Sequence, residues 1–133
     1  MIAREIPTTA PASPARKLNV TLWVVQGLLA AFFLFAAAGP KLLGEATAVR
    51  TFDDIGVGQW FRYVVGVLEL AGAIGLVIPR LARSAALGLA AVMLGAIITN
   101  LFVIDGGLLT LTPVILLALL GFVVWGRQSQ TGG

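Results

Sequence analysis

The sequence predicts an all-α integral membrane protein, a four-helix bundle with both termini in the cytoplasm, and three observations carry that prediction. The first is composition. Of 133 residues, 59% are hydrophobic and 11% are charged, and the mean hydropathy is +0.99. A soluble domain holds about 25% charged residues, so this chain lacks the polar side chains to cover a water-facing surface. The second is a set of apolar runs of spanning length, at about residues 18–39, 61–79, 82–104 and 109–126. Roughly 20 apolar residues cross a bilayer's hydrocarbon core. The third is the placement of charge. Arg4, Arg16, Lys17, Arg80, Arg83 and Arg127 fall on one side of these runs. Lys41, Arg50 and Arg62 fall on the other, with Glu45, Asp53, Asp54 and Asp105. The positive-inside rule puts the first side, and both termini, in the cytoplasm.

The formal charge of +3 therefore reads as topology and anionic-lipid charge, and nucleic acid is not an expected partner. Membrane lipids are. Cysteine and histidine are both missing from the sequence, which excludes disulfides, thiol catalysis, Cys/His zinc sites and bis-histidine haem within it. No dinucleotide fingerprint, phosphate-binding loop or nucleophile elbow occurs, and no metal site is expected.

Residues 1–17 carry Pro7, Pro11 and Pro14 without an apolar period, the pattern of a flexible tail. Arg16-Lys17 ahead of an apolar run also suits a signal peptide. That run is too long for one and further runs follow, so a retained first helix is expected. Within it Trp23 suits an interface. Gln26, Ala30, Phe33, Ala37 and Lys41 share one stripe, polar at each end, which marks a bundle-facing side. Pro40 is expected to kink or end the helix.

The polar connection 44–60 is expected to hold a short interfacial helix over Glu45–Phe52 and a turn from Asp53 to Gly58. Asp53-Asp54 is read as a solvated turn in preference to a cation site. Trp60, Arg62 and Tyr63, with Asp53, form the outer-interface group, an aromatic-basic belt. The short Pro79–Arg83 link makes the second and third runs a hairpin. Ala71-x-x-x-Gly75 and Ala91-x-x-x-Gly95 read as close helix packing. Asp105-Gly-Gly is a turn, Pro113 sits in a first helical turn, and residues 128–133 form a C-terminal tail.

Glu69 is the residue around which these runs are organised. It lies about 12 Å inside the second run by helix rise, where an unpaired charge costs several kcal/mol. Such a group does not face lipid. Its available partners are Lys41, or Asn100, Thr99 and Gln26 as hydrogen-bonding neighbours of the neutral acid. Burial and a nearby ammonium act on its proton in opposite directions, and the balance is open from sequence. Two readings stand together: a structural tie, and an outward-opening cavity in which Glu69 is an acid, base or hydrogen-bonding group for a lipophilic ligand. Gln26, Lys41, Glu69, Thr99 and Asn100 are the ligand-binding candidates.

The segments Phe33–Gly44 (FLFAAAGPKLLG), Val65–Pro79 (VGVLELAGAIGLVIP) and Ala90–Phe102 (AAVMLGAIITNLF) resemble the DoxX-like family of small four-helix bacterial membrane proteins. The likeness runs from about Leu22 to Arg127, within an expected domain of residues 18–127. It implies a bundle in the bacterial plasma membrane, with Lys41, Glu69 and Pro79 at recurrent family positions. It also implies a link to quinone-coupled redox systems, through the thiosulfate:quinone subunit that names the family, and to redox-stress complexes. Eukaryotic relatives act in receptor assembly. Many relatives carry histidine where this chain has Asn100, so a proton-transfer or metal role does not carry over at that position.

Three roles follow. The favoured one is an accessory subunit, or a component binding a quinone or other lipophile, in a membrane redox system. A redox partner protein would then carry the electrons. The second is a non-catalytic assembly or interaction protein, including a homo-oligomer, working through small-residue faces. The third is a small membrane enzyme using Glu69 as acid or base on a lipophilic substrate.

Overall fold

The computed structural model describes residues 14–131, and among them the chain is all-helical, with no strand. The first rod is continuous from Pro14 to Leu43 in three parts: α1 (Pro14–Phe32), a π-helical stretch (Phe33–Ala38) and α2 (Gly39–Leu43). Then follow α3 (Ala46–Ile55), α4 (Gln59–Leu76), α5 (Ala82–Phe102), a 3-10 turn (Gly107–Thr110) and α6 (Leu111–Thr131). The first rod, α4, α5 and α6 lie side by side. α5 packs against both α4 and α6, and the first rod closes the other side against α4 and α6.

Among the described residues three stretches are long and apolar enough to cross a membrane: Ala15–Leu43, Ala82–Phe102 and Gly107–Gln128. α4 is the fourth long helix, and Gln59, Arg62 and Glu69 lower its hydropathy. Its outer face is nevertheless apolar, with Val64, Val67, Leu68 and Ile74 all exposed, while Arg62 and Glu69 point inward. The core runs through Leu29, Phe33, Leu76, Leu89, Leu120 and Val123, drawn from all four rods.

Several expected boundaries move. Residues 14–17 belong to the first helical turns instead of the tail, with Pro14 at a position where proline costs no hydrogen bond; the rest of that tail lies outside the described residues. α6 continues to Thr131 past the expected end at 126, because Gly126 lets Leu22 approach closely and Arg127 is tied to the first rod. Asp53, Asp54 and Ile55 are helical, and the turn is confined to residues 56–58. The α4–α5 link begins at Val77, so Pro79 lies within the turn.

Pro40 neither ends nor sharply breaks the first rod. Proline lacks an N–H and its ring crowds the carbonyl one turn back. The chain answers with a wider turn just before it, in which the Gly39 N–H reaches the Leu34 carbonyl. In an unbroken α-helix Lys41 would sit roughly 80° around the axis from Phe33; one residue absorbed by the wide turn brings it back to within about 20°. The rod ends at Gly44, whose φ of 74° admits the left-handed cap.

Of the four small residues in the two pairs, one packs against a neighbouring helix. A Cβ on Gly75 would lie 2.8 Å from the Cβ of Ala85, so this glycine sets the α4–α5 approach. Ala71 and Ala91 are exposed, and Gly88 and Gly95 have nothing within 4 Å of such an atom. The Gly75→Ala variant is therefore expected to lose about 1–3 kcal/mol by overpacking. Gly88→Ala is expected to hold or gain stability through helix propensity. Thermal melting followed by helical circular dichroism in detergent compares the two.

α3 is held at its start by Glu45, whose carboxylate accepts from the Thr47 and Ala48 N–H groups at 3.0 and 3.2 Å. Those two backbone bonds hold its pKa below the ordinary value of 4.5. A lowered folded-state value means the cap stabilises fully above the ordinary pKa and is lost as pH falls through the lowered one. Amide exchange in α3 is expected to quicken in Glu45→Gln at neutral pH. Wild type and variant are expected to converge once the medium is acid enough to protonate Glu45.

Candidate functional site

Glu69 sits about 15 Å along α4 from Gln59 and is 1% exposed. Its Oε1 lies 2.9 Å from Nζ of Lys41, which is half-buried at the end of the first rod. Lys41 Nζ also approaches the Ala37 carbonyl at 3.5 Å. The contact to Oε1 is an ion pair. The pair joins Lys41, at the end of the expected stripe, to Glu69, 28 residues away in sequence.

Lys41 is aimed by its neighbours. The Arg62 guanidinium donates from Nη1 to the Lys41 carbonyl and from Nε to Gln59 Oε1 at 2.7 Å. Gln59 Nε2 in turn donates to the Val49 carbonyl at 2.9 Å and to Asp53 at 3.0 Å. The Tyr63 ring lies 4.3 Å from the guanidinium carbon. Gly66 permits this closeness, since a Cβ there would meet Lys41 Cβ at 3.2 Å. Arg62, expected as an interface anchor, is instead 5% exposed and caps the last turn of the first rod. Trp60 and Tyr63 remain exposed, as does Asp53.

Beside the pair is a cavity of about 440 Å³, within the range of roughly 300–1,000 Å³ typical of small-molecule sites. Its wall is mostly apolar, from Phe33, Ala37, Val65, Met93 and Leu116 among others. α3 lies over one end through Thr51, Phe52 and Ile55, and Phe52 meets Phe61 edge-on at 5.8 Å. Exposed Phe32 and Leu68 are also part of the wall, so the cavity reaches the outer apolar surface of the bundle. Lys41 and Glu69 are the charged side chains among its described lining residues.

Thr99 and Asn100 line this cavity but do not bond Glu69. Thr99 Oγ1 donates to the Gly95 carbonyl and Asn100 Nδ2 to the Ala96 carbonyl, each at 2.8 Å. Such back-bonding satisfies their donors within α5, and Asn100 Oδ1 lies against Gly106.

Gln26 lies elsewhere. It is fully buried and donates to the Leu76 carbonyl at 2.6 Å, about 10 Å beyond Glu69 along α4. Its Oε1 accepts from Arg127 Nε at 2.5 Å, while Arg127 Nη1 reaches Asn19 at 2.7 Å and stacks 4.8 Å from the Trp23 ring. This second cluster, at the end of the bundle holding both described chain ends, was not read from the sequence. A signal existed: Asn19, Trp23 and Gln26 follow i, i+4, i+7 on one face, and Arg127 is the basic residue that ends the last apolar run.

Removing one member of a buried charge pair costs about 3–5 kcal/mol, far more than replacing both by apolar groups. Lys41→Met and Glu69→Leu are each expected to lower stability by that order, and the double variant by less than their sum. A double-mutant cycle on thermal unfolding in detergent measures the coupling.

The model of the DoxX-like family matches residues 24–123, three-quarters of the chain and all of the helices that build the pair and the cavity. No curated protein and no solved structure matches the chain. The helical architecture, the apolar spans and the extent of the family match agree, and the chain belongs to the DoxX-like family of membrane proteins.

Proposed function

We propose that this chain is a four-span protein of the bacterial plasma membrane, with both termini cytoplasmic, that binds a quinone or similar lipophile as an accessory component of a membrane redox system. The observation that carries the proposal is the apolar cavity ending on the Lys41–Glu69 pair. α4 serves as the remaining span because its outward face is apolar and both of its charges are directed inward. Arg16, Lys17, Arg80, Arg83 and Arg127 gather at the end holding both described chain ends, which supports cytoplasmic termini.

The wall fits a quinone ring in kind. The Lys41 ammonium offers donors to a ring carbonyl, and the remaining surface suits a ring and an isoprenoid chain. A bound quinone supplies two-electron redox chemistry. This chain's residues bind and orient the ring and exclude water, and a partner protein delivers or removes the electrons. A second reading, an assembly protein or homo-oligomer, draws on the exposed Ser84, Gly88 and Ala91 of α5, a lipid-facing small-residue row.

Mass spectrometry of protein purified in mild detergent tests the proposal. A quinone or similar lipophile is expected at about one per chain in wild type and is expected to be lost in Glu69→Ala. Phospholipid alone in both samples overturns it, and a stable oligomer broken by Gly88→Leu would then favour the second reading.

A further inference from the structure

Lys41 and Glu69 present the cavity with one positive and one negative charge already joined at 2.9 Å. Proton transfer within the pair leaves their sum at zero. Arg62, the next buried charge, is turned onto the Lys41 carbonyl and Gln59 and is not among the lining residues. Elsewhere the wall is apolar or neutral, with Thr51, Thr99, Asn100 and Thr112 as its uncharged polar residues.

A ligand bearing a single charge meets an arrangement with no counter-charge to spare. An anionic head must draw Lys41 away from Glu69 and then sit beside a second carboxylate. A cationic head must do the reverse. In either case one buried ion is left without its partner, which is the costly outcome in a low-dielectric site. A neutral head with a hydroxyl or carbonyl gains a hydrogen bond at the edge of the pair without opening it.

We infer that the cavity selects uncharged lipophiles with a hydrogen-bonding head and rejects singly charged amphiphiles, and that the Lys41–Glu69 pair is the specificity-determining element. This rests on the lipophile-binding reading of the same cavity. It goes beyond it by assigning the charge of the ligand class and by predicting how that preference reverses. Removing the carboxylate leaves an unpaired ammonium facing the cavity, and removing the ammonium leaves an unpaired carboxylate.

Three probes of equal chain length isolate head charge: dodecanol, dodecanoate and dodecylammonium. Retention is measured on the full chain in phosphatidylcholine nanodiscs at neutral pH. Gly95→Phe provides the baseline: Gly95 is on the cavity wall with nothing within 4 Å of an added Cβ, so the ring fills space without disturbing the helix contacts. Excess retention over that variant reports the cavity, and partitioning into lipid cancels.

Wild type is expected to retain dodecanol at least tenfold better than either ion. Glu69→Gln is expected to raise dodecanoate at least tenfold, and Lys41→Gln to raise dodecylammonium similarly. If one of these variants does not fold, the other still reads the reversal. Wild type retaining either ion as well as dodecanol overturns the charge selection and leaves lipophile binding standing. Variants that fold and show no reversal overturn the role of the pair. Excess retention of none of the three overturns both this inference and the reading beneath it.

Discussion

A carboxylate halfway along an apolar helix has to be given a cation, and much of this bundle is arranged to deliver one. Glu69 is 1% exposed and lies on the inner side of α4, so neither water nor lipid headgroups can serve it. Lys41 serves it from the end of another helix. For that to happen the first rod must continue past a proline, arrive with the right rotation, stop soon afterwards and lie close to α4. The wide turn over Phe33–Ala38 answers the first two needs, Gly44 the third and Gly66 the fourth. Wide turns of this kind are frequent at functional sites, and here the turn carries Lys41 round to Glu69.

The polar interactions fall into two separate groups. At one end Asp53, Gln59, Arg62 and the Lys41 carbonyl link α3, α4 and the first rod. At the other, Asn19, Gln26, Arg127 and the Leu76 carbonyl link the first rod, α6 and α4. Between them the Lys41–Glu69 pair is set among apolar contacts. Helices in lipid gain little from hydrophobic association, so close packing and interhelical hydrogen bonds set their register. Two polar ties at opposite ends fix both the rotation and the axial position of the first rod against α4. The cavity opens where α5 turns its small residues, Gly95 and Ala96, toward the space beside Glu69.

α3 gives this end of the bundle a different character. It is ten residues long, too short to be a span, and it covers the cavity with Thr51, Phe52 and Ile55. It is joined to the pair through Gln59 and Arg62. The cover and the charged end of the cavity are thus mechanically connected, while Phe32 and Leu68 border the cavity on the apolar flank. Access from the flank and a cover at the end suit a ligand arriving from lipid more than one arriving from water.

Composition and apolar run length made the helical membrane class legible, because they report which solvent the chain can tolerate. The pairing of Glu69 with Lys41 was legible as one of several choices, since depth along a helix follows from counting residues. Gln26 stood among the possible partners of Glu69 because a stripe gives rotation but not which neighbour lies beside it, and it bonds Leu76 and Arg127 instead. Arg62 read as a surface anchor because its burial depends on Lys41, 21 residues away, offering a free carbonyl. Ala91 and Gly95 matched a packing motif that Ala71 and Gly75 match equally, and nothing local separates Gly75, which meets a neighbouring helix, from Gly95, which does not. By itself the sequence determined that Glu69 must be satisfied inside a helical membrane protein. Only the tertiary structure decided that Lys41 satisfies it beside a cavity, because that outcome rests on the rotation of the first rod at Pro40, and a helix's rotation is settled by what it packs against.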